Sequence, residues 1–162
     1  MLSGLDEPEI AAVSPTELTA LLHREIPLAA AIGLRVENLS EHGLQVSGPF
    51  AANQNLHGTL FAGSIYCFAT LASWTLVHAL CQEAGLAAAV VLQEGNIRYL
   101  KPITDQPQAL ANMPEPAAKA RFLQMLRERG KGRLSVEATL TQNGEPAAVF
   151  IGQFVAVREH ES

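Results

Sequence analysis

Residues 53–83 read NQNLHGTLFAGSIYCFATLASWTLVHALCQE, and from His42 to Gln82 the chain carries no Asp, Glu, Lys or Arg. Three environments accept so long an uncharged run: a bilayer, the core of a folded domain, or the floor of a binding site. A helix from Gly63 to Ala84 would be about 33 Å long at about 1.5 Å per residue, which matches a bilayer core. Against that reading, Ser64, Thr70, Ser73, Thr75 and His78 lie inside the run, no Lys or Arg flanks it, and strand-like segments lie on both sides. A helix apolar on every side and not in lipid must be enclosed by protein. The expectation is a central helix inside a curled sheet, with Gly63, Ala69, Ala72 and Ala79 small enough to let strands approach closely. Gly63, Thr70, Trp74 and Cys81 share one stripe, because seven residues advance the helix by nearly two full turns. Such a stripe suits a ligand or a partner backbone as well as core packing.

The flanks supply the sheet. Residues 1–13 read as a loose tail, and one domain spans 14–158. Ser14-Pro15-Thr16-Glu17 opens a helix, with Ser14 as N-cap and Pro15 at its first position, and the stripe Leu18, Leu21, Leu22, Ile26 stops before Pro27. A short connector ends at Gly33. Residues 34–39 and 44–48 alternate with period two around a His42-Gly43 turn. After the central helix, Gly85 is a stop, 87–100 reads as a long strand before Pro102, and 108–113 as a short one. A surface helix follows over 117–129, closed by Gly130 and Gly132. Leu134, Val136, Ala138 and Leu140 alternate with polar residues, Asn143-Gly144 is a two-residue hairpin signal, and 147–157 pairs back. The fold class is α+β: one mostly antiparallel curved sheet on a long central helix at about 63–84, with a short helix inserted at about 117–129.

The composition narrows the function classes. The chain has 162 residues, 48% of them hydrophobic and 17% charged, with a net charge of −5. An acidic chain disfavours nonspecific nucleic-acid binding. The N-terminal stretch has neither a basic start nor an apolar segment, so it does not read as a signal peptide. Cys67 and Cys81 are too far apart on one helix for a disulfide and match no zinc spacing; they read as small apolar residues of a reducing, cytoplasmic protein. The five histidines show no metal spacing.

The segments Asn55 through Gly63-Ser64-Ile65-Tyr66, then Asn96-Ile97-Arg98-Tyr99-Leu100-Lys101-Pro102, then Arg129-Gly130-Lys131-Gly132-Arg133-Leu134 carry a resemblance. Together they resemble the hotdog fold, and more narrowly the thioesterase-like family typified by the C-terminal domain of YiiD, over roughly 25–157. The resemblance implies a thioesterase acting on acyl-CoA or acyl-carrier-protein thioesters, with coenzyme A entering as substrate and no cofactor. It also implies a homodimer, or a dimer of dimers, with sheets joined edge to edge and active sites at the subunit interface. Neither nucleic acid nor a membrane is expected as partner. Members of this fold also include hydratases and non-catalytic acyl-CoA sensors, so a binding module is the alternative.

Thioester hydrolysis needs a polarised carbonyl, an activated water and a slot for the acyl chain. Unpaired amides at a helix start, near Gly63 and Ser64, suit the carbonyl. Many hotdog thioesterases carry an acid in the second turn of the central helix; registering their Gly-Gly on Ala62-Gly63 puts Thr70 there, and threonine is no general base. Glu94, which shares strand parity with Asn96 and Arg98, is then the candidate to act on water from the neighbouring subunit, with an exposed strand glutamate as the plain alternative. Asn55 matches a site asparagine of relatives and is the candidate to fix water or carbonyl. Tyr66, with Phe68 and Trp74, sets pocket depth, and Thr70 and His57 are candidate substrate contacts. His57 lacks the Gly-x-Ser-x-Gly setting that a triad with Ser64 would need. Lys119, Arg121, Arg127, Arg129, Lys131 and Arg133 form a basic run; Arg129 and Lys131 above all suit the phosphates of coenzyme A or an acidic carrier protein.

Overall fold

The computed structural model describes residues 13–160; the stretch read as a tail lies, up to residue 12, outside the described residues. Its elements in chain order are α1 (Pro15–Glu25), α2 (Pro27–Ala31), β1 (Arg35–Ser40), β2 (Gly43–Ser47), α3 (Ala62–Glu83), β3 (Ala88–Tyr99), β4 (Gln108–Asn112), α4 (Pro116–Arg129), β5 (Lys131–Gln142) and β6 (Glu145–Arg158). The six strands form one antiparallel sheet in the order β1-β2-β4-β5-β6-β3. This is the α+β architecture expected, with α3 as the central helix of a hotdog fold.

Local chemistry explains the element ends. The Ser14 side chain accepts from the Glu17 amide at 3.4 Å and Pro15 starts α1. The segment read as a connector contains a single helical turn, α2, which Pro27 starts in the same way. Asn143 and Gly144 both adopt positive φ, 52° and 77°, as a two-residue hairpin between right-twisted strands requires. Gly130 ends α4 in the left-handed region and accepts the role of C-cap.

Helix α3 is long and apolar enough to cross a membrane, yet it is wrapped by the sheet. Phe68, Leu76 and Val77 are fully buried, along with Ala69, Ala72 and Ala79 on the faces the strands approach. Burying each large side chain contributes about 1.5–3 kcal/mol. Ser73 and Thr75 donate back to the carbonyls of Ala69 and Leu71, which removes the cost of burying their hydroxyls.

Two features of β3 bear on function. It lies at one edge of the sheet and runs for 12 residues, so among the described residues one side of its backbone has no strand partner. Its register with β6 slips between Leu92 and Glu94, so that Gln93 is an extra residue, a β-bulge.

Candidate functional site

The loop before α3 is built by two asparagines. The buried Asn53 amide donates to the carbonyls of Ile32 and Pro49 at 2.9 and 2.8 Å, and its backbone carbonyl accepts from Phe61. Asn55 closes the next turn upon itself: its Oδ1 accepts from the amides of His57 and Thr59, and its Nδ2 donates to the Thr59 hydroxyl at 2.8 Å. The Asn55 side chain therefore fixes the loop that presents α3, while His57 stands exposed on it.

The chain enters α3 through Phe61, extended at φ −65°, ψ 132°, and no side chain caps the helix. The amides of Ala62, Gly63 and Ser64 have no partner among the described residues. They lie at the positive end of a 22-residue helix, where an electron-rich oxygen is favoured. The tip is held from β3: the Tyr99 hydroxyl donates to the Ala62 carbonyl at 2.9 Å. Burial, with smaller contributions from Tyr66 and Cys67, pushes the Tyr99 phenol above its ordinary value, so it keeps the proton it donates. The Phe61 ring folds over the tip; a methyl group on Gly63 would lie 2.4 Å from it. Sequence reasoning missed both aromatic residues; the Tyr99 contact spans 37 positions and leaves no local pattern.

From this tip a half-exposed stripe of α3 runs along the open β3 edge: Gly63, Tyr66, Cys67, Thr70, Trp74 and His78. Tyr66 lies over Gly95, where a Cβ would sit 2.2 Å from its hydroxyl, and meets Phe150 edge-on at 5.4 Å. The Trp74 indole donates to the Val90 carbonyl at 2.8 Å and stacks on His78 at 5.0 Å. Unlike Ser73 and Thr75, Thr70 leaves its buried hydroxyl without a partner, as His78 leaves its Nε2. An orphaned buried polar atom costs about 1–3 kcal/mol, so Thr70 and His78 are costly positions on this stripe. Burial raises the Cys67 thiol and pushes Cys81 up to about 11, the opposite of what activating a thiolate nucleophile needs.

The remaining candidates lie elsewhere. Glu94 is exposed and directly opposite Gln153, between the inward-facing Gly152 and Phe154 neighbours of that strand, so its side chain is on the outer face, away from α3. Its parity with Asn96 and Arg98 is as read, and no ion pair joins it to Arg98 among the described residues. Within one copy, then, Gly63, Ser64, Tyr66 and Thr70 come together and Glu94 does not join them. Arg129 and Lys131 border a separate groove between α4 and β5.

Known proteins agree with this architecture. A Shewanella oneidensis protein, named a putative thioesterase, is 33% identical over 88% of this chain and 96% of its own, with a TM-score of 0.79. A Chlorobaculum tepidum protein of unknown function is 26% identical over 92% of this chain and 99% of its own, with a TM-score of 0.87. A Pseudomonas aeruginosa protein, named a probable thioesterase, shares the fold at 24% identity and a TM-score of 0.70, over 90% and 97% of the two chains. Residues 15–158 match the family described as "Putative thioesterase (yiiD_Cterm)", and the chain belongs to that family.

Proposed function

We propose that the chain hydrolyses an acyl thioester of coenzyme A or of an acyl carrier protein, as a cytoplasmic homodimer. The observation that carries this reading is the uncapped tip of α3, where the amides of Ala62, Gly63 and Ser64 have no partner among the described residues and lie beside a largely apolar stripe. A carbonyl oxygen seated there accepts from amides already oriented by the helix. The charge that builds on it as water adds is then met without rearrangement, an effect whose loss typically costs about 10²–10³ in rate per donor. The acyl chain follows Tyr66, Cys67 and Trp74. As the tetrahedral adduct collapses, the carbon–sulfur bond breaks and acid and thiol leave.

The open β3 edge supports the dimer. A 12-residue edge strand without a strand on its outer side among the described residues invites a second copy, and pairing there would lie beside the half-exposed stripe of α3. A second reading, acyl-CoA binding without turnover, is favoured by one observation: the stripe beside the tip carries no carboxylate, and Thr70 stands where many hotdog thioesterases carry an acid when their Gly-Gly is registered on Ala62-Gly63. Thiol release from acyl-CoAs of graded chain length separates the two. Turnover above the uncatalysed rate supports hydrolysis; saturable binding without release supports the sensor.

A further inference from the structure

The groove between α4 and β5 has a volume of about 450 Å³, in the range of small-molecule sites. It exists because β4 pairs with β5 only from Ala109 to Ala111, against Ala138 to Leu140, which leaves the first half of β5 to α4. Gly132 lets the two approach: a Cβ there would lie 2.7 Å from the Phe122 carbonyl. The floor is apolar, with Ala118, Phe122, Met125 and Leu134, and the rim carries Arg121, Arg129, Lys131 and Arg133. Among the described residues no carboxylate lines it and none of these four cations is ion-paired. Four like charges gathered on one rim of a chain with a net charge of −5 repel one another, and an anion relieves that repulsion.

We infer that this groove seats the nucleotide end of coenzyme A, with the phosphates on the arginine rim and the adenine on Met125 and Ala118. This rests on the thioesterase reading and selects coenzyme A over a carrier protein. An acidic protein surface would need the cations but not an apolar groove floor, whereas a nucleotide uses both. The location suits a long ligand. Tyr99, which holds the α3 tip, is level with Leu140 of β5 through Ala148, and Arg133 is seven residues back along β5, about 23 Å at about 3.3 Å per residue. That separation is on the order of the extended pantetheine arm that joins the nucleotide to the reacting sulfur.

The test is calorimetric titration of the full chain with adenosine 3′,5′-bisphosphate, which holds no thioester and so reads binding apart from turnover. The expected result is saturable binding that weakens with salt. Arg133→Glu or Arg121→Glu should weaken it at least tenfold, and Met125→Ser should weaken it several-fold while leaving any inorganic phosphate binding unchanged. These side chains are exposed, and unchanged melting curves verify that the variants fold. Binding that none of the variants alters, no binding at all, or phosphate binding as tight as the nucleotide would overturn the assignment. Nucleotide binding in the groove together with absent thiol release would leave the assignment standing and sink the hydrolytic reading. Thiol release by a chain that ignores the nucleotide would do the reverse.

Discussion

Gly95→Ala should destabilise the protein through one atom. The new Cβ would stand 2.2 Å from the Tyr66 hydroxyl, 3.1 Å from Phe150 Cε2 and 3.3 Å from Leu92 Cδ2. Only the first contact is severe; the hydroxyl must retreat by about 1 Å, and it can do so only by tilting the ring off Phe150. Overpacking of this kind costs about 1–3 kcal/mol, and the edge-to-face pair at stake contributes about 0.5–1.5 kcal/mol. Replacing glycine inside a strand returns about 0.5–1 kcal/mol. The net loss is then about 1–2 kcal/mol. Tyr66→Phe deletes the clashing atom, which makes no hydrogen bond among the described residues, and should be near neutral alone. In a Tyr66→Phe background, Gly95→Ala should cost little, a coupling of about 1 kcal/mol between the two positions. Urea unfolding followed by the fluorescence of Trp74, the only tryptophan, reads all four proteins. Additive costs, or a harmless Gly95→Ala in the wild-type chain, would refute the close approach of α3 and β3 on which the site depends.

Other substitutions probe separate links. Phe68→Ala empties the centre of the core and should lower stability by about 3–5 kcal/mol in the same urea experiment. Glu94→Gln should leave thiol release nearly unchanged, far from the roughly 10²–10⁴-fold loss expected of a missing general base, because Glu94 is on the outer sheet face; a loss of that size would show that the assembly brings it to the site. Burial holds His78 below the ordinary imidazole value, against a weaker opposing pull from Glu159. As pH falls, the unfolded chain therefore takes up this proton first, and stability drops from the ordinary value downward until the folded value is passed. His78→Gln should flatten the melting-temperature profile on the acid side of the ordinary imidazole value; an unaltered slope would mean that His78 does not contribute to it.

The large features were legible because they rest on long patterns. An uncharged run of 41 positions, His42 to Gln82, has to be enclosed, and the period-two alternation of Leu134 to Leu140 has to form a strand. What the chain hid depends on contacts between distant residues or on single insertions. The bulge at Gln93 carries no glycine or proline to announce it, and it restores inward direction to Gly95 rather than Glu94. Counting along the strand could not show which face Glu94 occupies. The basic run was visible as a cluster, but helical spacing sends Lys119 and Arg127 away from the groove that Arg121 and Arg129 share with Lys131 and Arg133. Asn53, not Asn55, is the buried anchor of the loop, and nothing local separates two asparagines two positions apart.

The most direct test of the central claim is the infrared band of a carbonyl bound at the α3 tip. A coenzyme A ketone in which a methylene separates sulfur from a ¹³C-labelled carbonyl cannot be hydrolysed, so its spectrum can be taken at equilibrium. Donation from the amides of Ala62, Gly63 and Ser64 should move the band to lower frequency than in water. A band shifted upward, as for a carbonyl held dry and without donors, would contradict the account.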